Sequence, residues 1–366
     1  MTNEKTVREP RLRLVKRDSV SLQRRILVRA AAIAASLLIC AVFFTCVTGT
    51  SITDIFVYLF RGVFGDSIRL NKFFKEAAML TLIAVGLAPA FKMSFWNVGG
   101  QGQVLAGGMA AAMWLFYLGN SLPNIVIIPL MMISAVIGGG IWALFPAVFR
   151  VKFATNETLF TLMMNYIAIQ LVKFLRITWS PLHSLGMITR KSGSIPALFG
   201  NENGWIYIIA VAAVVLMYVY MDKTKHGFEI SVVGEAPNTA RYAGISEMKV
   251  ILRTAFISGA VCGLAGFLYV SALDHTIYET MSGGYGFTAV IVAWIAKFNP
   301  VFMTLISLLI SFVSSGSNEI ASVHSNTINP SIADINIGIF LFILIGCEFF
   351  LNYRIVFDKK RKETQK

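Results

Sequence analysis

Charge is scarce in this chain. Asp, Glu, Lys and Arg make up 14% of its 366 residues, against roughly 25% in a soluble domain. That shortfall excludes an ordinary water-soluble globule and keeps most residues out of contact with water. Cysteine is scarce too. The four present (Cys40, Cys46, Cys262, Cys347) all fall in apolar stretches, and none forms a CxxC pair. This excludes a thiolate metal site and points to buried free thiols. No GxxxxGK[ST] run occurs, so the chain does not bind ATP through a P-loop. HExxH is missing as well, and the four histidines (His183, His226, His275, His324) are scattered as loop or cap residues. Gly284-Tyr-Gly286-Phe-Thr-Ala289 matches the loose GxGxxA pattern, but without a βαβ unit around it. The sequence thus predicts no catalytic residue, no metal site and no cofactor.

Apolar residues are what the chain has, at 56%. They form ten runs, at about 26–48, 73–91, 99–118, 123–149, 157–178, 205–221, 250–270, 285–297, 301–316 and 335–352. A spanning helix needs about 20 apolar residues. A membrane barrel would instead show alternating segments of about 10. The runs are continuous, so the expected fold is all-α: a polytopic membrane protein of about ten transmembrane helices. The net charge of +13 could suggest nucleic acid, but its distribution argues otherwise. Of the 32 Lys and Arg, only Arg61, Arg69, Lys72, Lys75, Lys173, Arg176, Arg190 and Lys191 fall on the side opposite the N-terminus. That bias obeys the positive-inside rule and puts both termini in the cytoplasm. The basic balance is then a topology signal, with attraction to membrane lipid and none to nucleic acid.

The organisation follows. Residues 1–25 are a basic cytoplasmic arm, 26–352 the transmembrane domain, and 353–366 a basic cytoplasmic tail. Residues 49–72 and 179–204 read as outer loops, the second turn-rich with Pro181, Gly186, Pro196 and Gly200. The longest inner segment is 222–249. Acids are nearly missing from the spans: Glu76 lies near an outer end, Glu157 begins span five and Glu348 lies near the inner end of span ten. Without a mid-depth carboxylate, coupling to protons or sodium is disfavoured.

Three segments carry the functional signal. In 227–245, Gly234 and Pro237 suggest a turn, Asn238 an N-cap, and Gly244 the stop of a short helix over 239–243. Such a capped knob between spans is either a plain loop or a docking element, with Arg241 and Tyr242 as anchors. At 95–112 the stretch FWNVGGQGQVLAGGMAAA places Asn97, Gln101 and Gln103 ahead of a small-residue helix. Its Gly107, Gly108, Ala110, Ala111 and Ala112 suit close packing. In 155–168, Glu157, Thr161 and Asn165 share one helical face, beside Tyr166 and Phe160 as possible stacking groups. These polar residues are either an interhelical network or the wall of a solute path. A weak echo links GGQGQ at 99–103 to GGYGF at 283–287, as in the paired halves of transporters.

Residues 234–245 resemble the coupling loop of ABC-importer permeases for nucleosides and simple sugars, in the branched-chain amino acid/ribose-type permease superfamily. The Ala-Arg-Tyr-Ala-Gly-Ile core at 240–245 is intact, while the family's Asn-Pro appears here as Ala-Pro-Asn. Trp96–Gln103 resembles the family's Phe-Asn-Ile-Gly-x-Glu-Gly-Gln, with Gln101 in place of the acid. Residues 156–168 resemble the nucleoside branch. Residues 283–300 keep Gly284, Gly286, Phe287, Asn299 and Pro300 but substitute Trp294 and Lys297. The likeness covers roughly residues 70–350.

It implies a permease subunit that imports nucleosides by alternating access, or else simple sugars or a vitamin such as riboflavin. Its partners would be a cytoplasmic ABC ATPase subunit that docks on Gly234, Glu235, Pro237, Asn238, Arg241, Tyr242 and Gly244, a second permease subunit, and an extracytoplasmic substrate-binding lipoprotein. The competing class is a stand-alone secondary transporter or facilitator.

Overall fold

A computed structural model describes residues 12–16, 21–119, 121–179, 193–198, 201–325, 329 and 331–357. The expected arm at 1–11 and 17–20, most of the turn-rich outer segment and the tail at 358–366 lie outside the described residues. In chain order the elements are β1 (Leu12–Lys16), α1 (Leu22–Thr48), α2 (Ile52–Phe64), α3 (Ser67–Lys92), α4 (Gly100–Leu118), α5 (Asn124–Phe153), α6 (Glu157–Trp179), α7 (Gly204–Lys223), α8 (Lys225–Glu235), α9 (Pro237–Tyr242), α10 (Glu247–Leu268), α11 (Tyr285–Ile295), α12 (Pro300–Val323), α13 (Ser331–Asn352) and β2 (Tyr353–Phe357). All ten expected spans are helical. Among the described residues, seven helices are long and apolar enough to cross a membrane, namely α1, α3, α5, α6, α7, α12 and α10 with the turn that follows it.

The chain divides into two units. The first comprises residues 1–59 and 317–366. Here α1 packs along α13, and Cys40 donates its thiol to the Asn336 carbonyl at 3.8 Å. Phe44, Ile55, Leu59 and Ile320 form a small core. β1 pairs antiparallel with β2, a two-stranded ladder the hydropathy pattern did not announce. The stretch read as an outer loop at 49–72 instead contains α2. Its 13 residues are too few to span a membrane, so a search for long apolar runs passes over them. Ile55 and Leu59 are buried while Val57 and Phe60 are exposed, which is the two-faced pattern of a helix at a boundary.

The second unit, residues 60–316, is built around α10. This helix packs against α5, α4 and α3. The reason is small side chains at helical spacing. Gly259, Gly263 and Gly266 give α10 a bare ridge, met by Gly139 of α5 and Gly107 of α4. A Cβ placed at Gly263 would collide with the backbone carbonyl of Ala135, which cannot swing away. Without a strong hydrophobic drive between helices in lipid, such close backbone approach is what holds them. The expected packing role of Gly107, Ala111 and Ala112 agrees with this, as all three are buried. Pro89, Pro129 and Pro146 sit inside helices, as membrane helices tolerate. α10 ends in a π-helical turn at Tyr269–Leu273, whose Ser271 hydroxyl donates to the Gly193 carbonyl.

Candidate functional site

The polar stretch before α4 folds back on itself. Asn97 Oδ1 accepts from the Gly99 N–H (3.1 Å) and from Gln103 Nε2 (2.9 Å), and Asn97 Nδ2 donates to Ser258 Oγ on α10 (3.2 Å). A helix start leaves backbone N–H groups without partners. α6 supplies them. Asn165 Oδ1 accepts from the Gly102 N–H (2.8 Å) while its Nδ2 donates to the Val98 carbonyl (3.0 Å). Thr161 Oγ1 accepts from the Val98 N–H (3.2 Å). Asn97, Gln101, Gln103, Glu157, Thr161 and Asn165 are all buried. Glu157 at the head of α6 takes an ion pair from Arg150 of α5, 3.4 Å away. Tyr166 does not join this cluster. It is 68% exposed, because the residue after Asn165 lies about 100° further round the helix. Phe160 packs on Phe149 at 4.9 Å between ring centres.

The two glycine-rich echoes meet in space. A Cβ on Gly286 would strike the backbone of Gln101, so glycine is required where α11 begins against the start of α4. Ser282, just before α11, donates to Gln101 Oε1 at 2.7 Å. That contact gives the amide at position 101 a local role: it is a neutral acceptor for a buried hydroxyl. Trp294 of α11 lies against Trp96, with ring centres 5.0 Å apart, and Phe298 stacks on Phe91. Lys297 and Phe298 both take left-handed backbone as α11 ends, with N–H bonds returning to Trp294 and Ala293.

The second place is the segment between α7 and α10. It is two helices rather than a loop with one. α8 is capped by the Thr224 hydroxyl, which accepts from the Gly227 N–H at 3.2 Å. It runs through Gly234, so that residue makes no turn. Its missing Cβ lets α8 lie on the Lys92 carbonyl at the end of α3. Asn238 is not the N-cap of α9 either. Ala236 holds that position and Pro237 is the first helical residue, where a missing N–H costs nothing. The stop is as read: Gly244 has φ +74°, with N–H bonds from Gly244 to Arg241 and from Ile245 to Ala240. This pair of bonds is the Schellman closure.

The underside of this pair is apolar. Ile230, Val233 and Ala240 pack on Ala90 and Met93 of the α3 end, Ala147 of α5, and Val250 and Ile251 of α10. Charged clamps hold the rim. Arg253 donates to Glu229 at 2.8 Å and Arg241 to Glu247 at 3.0 Å. The Arg253 bond holds the Glu229 carboxyl below its ordinary range despite partial desolvation. The outward side is bare, with Tyr242 94% exposed. Glu235 and Asn238 lie in the same pair of helices.

The third place was not read from the sequence. A cavity of about 1030 Å³ lies between α3, α7 and α12, walled by Phe74, Ala77, Thr81, Val211, Thr304 and Leu308 among others. At one end the Tyr207 hydroxyl donates to Asn71 Oδ1 at 2.5 Å. Among the described residues no group of three or more His, Cys, Asp or Glu could hold a metal ion.

Apolar helices locked by glycine contacts, with an anchored exposed knob on a helical bundle, are the build of a membrane transport subunit. The chain belongs to the family described as branched-chain amino acid transport system, permease component, which it matches over residues 70–345. It is a multi-pass membrane protein, the permease subunit of an ABC importer. A glucose ABC transporter permease of Haloferax volcanii is 30% identical over 85% of each chain. A guanosine ABC transporter permease of Bacillus subtilis is 28% identical, over 74% of this chain and 80% of its own. A nucleoside ABC transporter permease of Lactococcus lactis subsp. cremoris is 27% identical, over 71% and 75%. No solved structure matches the chain.

Proposed function

We propose that this subunit imports nucleosides, driven by a separate ATPase chain that docks on α8 and α9 from the cytoplasm. The observation that carries this reading is the knob's build. α9 is exposed at Tyr242 yet seated through Ala240 on the ends of α3, α5 and α10. A push on Arg241 and Tyr242 would therefore reach three helices at once, and interface anchors are commonly of these two residue types. Gly234, Glu235, Pro237, Asn238 and Gly244 would shape the docking face. Two permease subunits, identical or related, would flank the path, and an outer lipoprotein would deliver the solute. The arm at 1–25 and the tail at 353–366 would lie on the ATPase side.

Asn97, Gln101, Gln103, Glu157, Thr161 and Asn165 would serve the solute path by fixing where α4 starts, since their polar groups are spent on the backbone of residues 98–102, on Ser258, Ser282 and Arg150, and, for Asn97 and Gln103, on each other. Tyr166 would meet a neighbour outside this bundle. The nucleoside assignment leans on the guanosine and nucleoside permeases among the relatives. A simple sugar is the second reading, because the glucose permease is 30% identical over most of both chains. Gly244→Val is expected to abolish uptake while the protein still reaches the membrane, because valine cannot hold φ +74° cheaply. Unchanged uptake would remove the coupling role. A binding screen of the partner lipoprotein with guanosine, ribose and riboflavin decides the solute.

A further inference from the structure

Hydroxyls inside apolar helices normally turn back to a carbonyl one turn earlier. On α12, Thr304 does so with Pro300 (3.2 Å) and Ser322 does so with Glu319 (2.9 Å). Ser307, Ser311 and Ser315 do not. Each is more than nine-tenths buried; Ser307 and Ser311 Oγ have no partner among the described residues, and Ser315 turns to the carboxylate of Glu76 instead of a carbonyl. Their i, i+4, i+8 spacing stacks them on one face over about 12 Å. At 100° per residue that face also carries Thr304 and Leu308, which wall the 1030 Å³ cavity. The serines thus sit on the cavity side of α12, packed and outside the cavity lining itself. Beyond the last serine stands Glu76 of α3, beside Ser315 and Tyr285. Glu76 Oε1 is 3.8 Å from Lys72 Nζ, and the carboxylate is within hydrogen-bond reach of the Ser315 and Tyr285 hydroxyls.

A row of buried donors and acceptors left open is costly unless something fills it. We propose that Ser307, Ser311, Ser315 and Glu76 form a track that binds the ring hydroxyls of the transported solute, the ribose of a nucleoside. This deepens the import reading above and rests on it. Serine hydroxyls give and take hydrogen bonds, and a carboxylate accepts two from a vicinal diol. A solute carrying hydroxyls would complete what the subunit leaves open, and one lacking them would leave it open.

The test uses the assembled transporter with its ATPase and binding protein. Ser307→Cys, Ser311→Cys and Ser315→Cys are exposed to a small thiol reagent during turnover, against the parent chain whose own four cysteines set the background. Labelling above background, blocked by guanosine and not by 2′,3′-dideoxyguanosine, is expected. Ser311→Ala should fold normally and weaken guanosine competition about fivefold, the worth of one hydrogen bond. Labelling blocked by glucose and not by guanosine would keep the track and overturn the nucleoside reading. No labelling in any state, or equal blocking by the dideoxy analogue, would overturn the track.

Discussion

The start of α4 and the middle of α12 both put polar side chains into apolar surroundings, and they treat them in opposite ways. Around α4, Asn97, Gln101, Gln103 and Asn165 each find a partner. On α12, the buried Ser307 and Ser311 hydroxyls find none. A closed network pins backbone, because each broken bond strands a group in a place water does not reach. An open row stabilises nothing by itself and is free to serve a ligand. The same spacing, i, i+4, i+8, thus produces a fastening in α6 and an unfilled track in α12.

The comparison can be broken from the network side first. Asn165→Ala strands both the Gly102 N–H and the Val98 carbonyl, so it should destabilise the protein by about 2–4 kcal/mol. A lowered unfolding temperature in detergent checks this; a change within error would mean the network does not hold α4. Gln101→Glu puts an acid beside Ser282. It places a carboxylate at a 4% exposed position with one hydroxyl donor, which should cost about 1–2 kcal/mol at neutral pH and less as the pH falls. Ser311→Ala should lie within about 0.5 kcal/mol of the parent in stability, since it removes a hydroxyl that has no partner. If it destabilises as much as Asn165→Ala, the contrast between the two regions is lost.

A smaller effect concerns acid. The Glu229 carboxyl is lowered by its bond to Arg253, so it adds stability at neutral pH. That contribution is present above the ordinary Glu range and fades as pH falls through the lowered value. Arg253→Met should therefore lose part of the stability at pH 7 and narrow the gap to the parent near pH 3, followed by unfolding at a series of pH values.

Much of this was legible in the sequence. Ten apolar runs became ten helices, and the bare residues after Gly107 mark where helices touch. The polar turn at 97–103 and the Glu157, Thr161, Asn165 face were visible because amides and acids stand out in lipid-facing sequence. Other features were hidden for physical reasons. α2 is short and amphipathic, so hydropathy over a span length dilutes it. Gly234 read as a turn because a sequence does not show that the Lys92 carbonyl approaches there. Ser282 and Ser258 gained meaning only from partners 181 and 161 residues away. The serine stripe has the same spacing as the α6 face, and that spacing was a signal available to find it. Serine is small enough to pass as a packing residue, and only the missing carbonyl bonds separate the two uses.

The most direct measurement is guanosine uptake into proteoliposomes carrying this permease with its ATPase and binding protein, with and without ATP, for the parent chain and for Tyr242→Ala. The account predicts uptake that requires ATP in the parent, and in Tyr242→Ala a folded subunit that no longer moves solute when ATP is supplied. Uptake by the parent that continues without ATP, or a Tyr242→Ala protein as active as the parent, would contradict it.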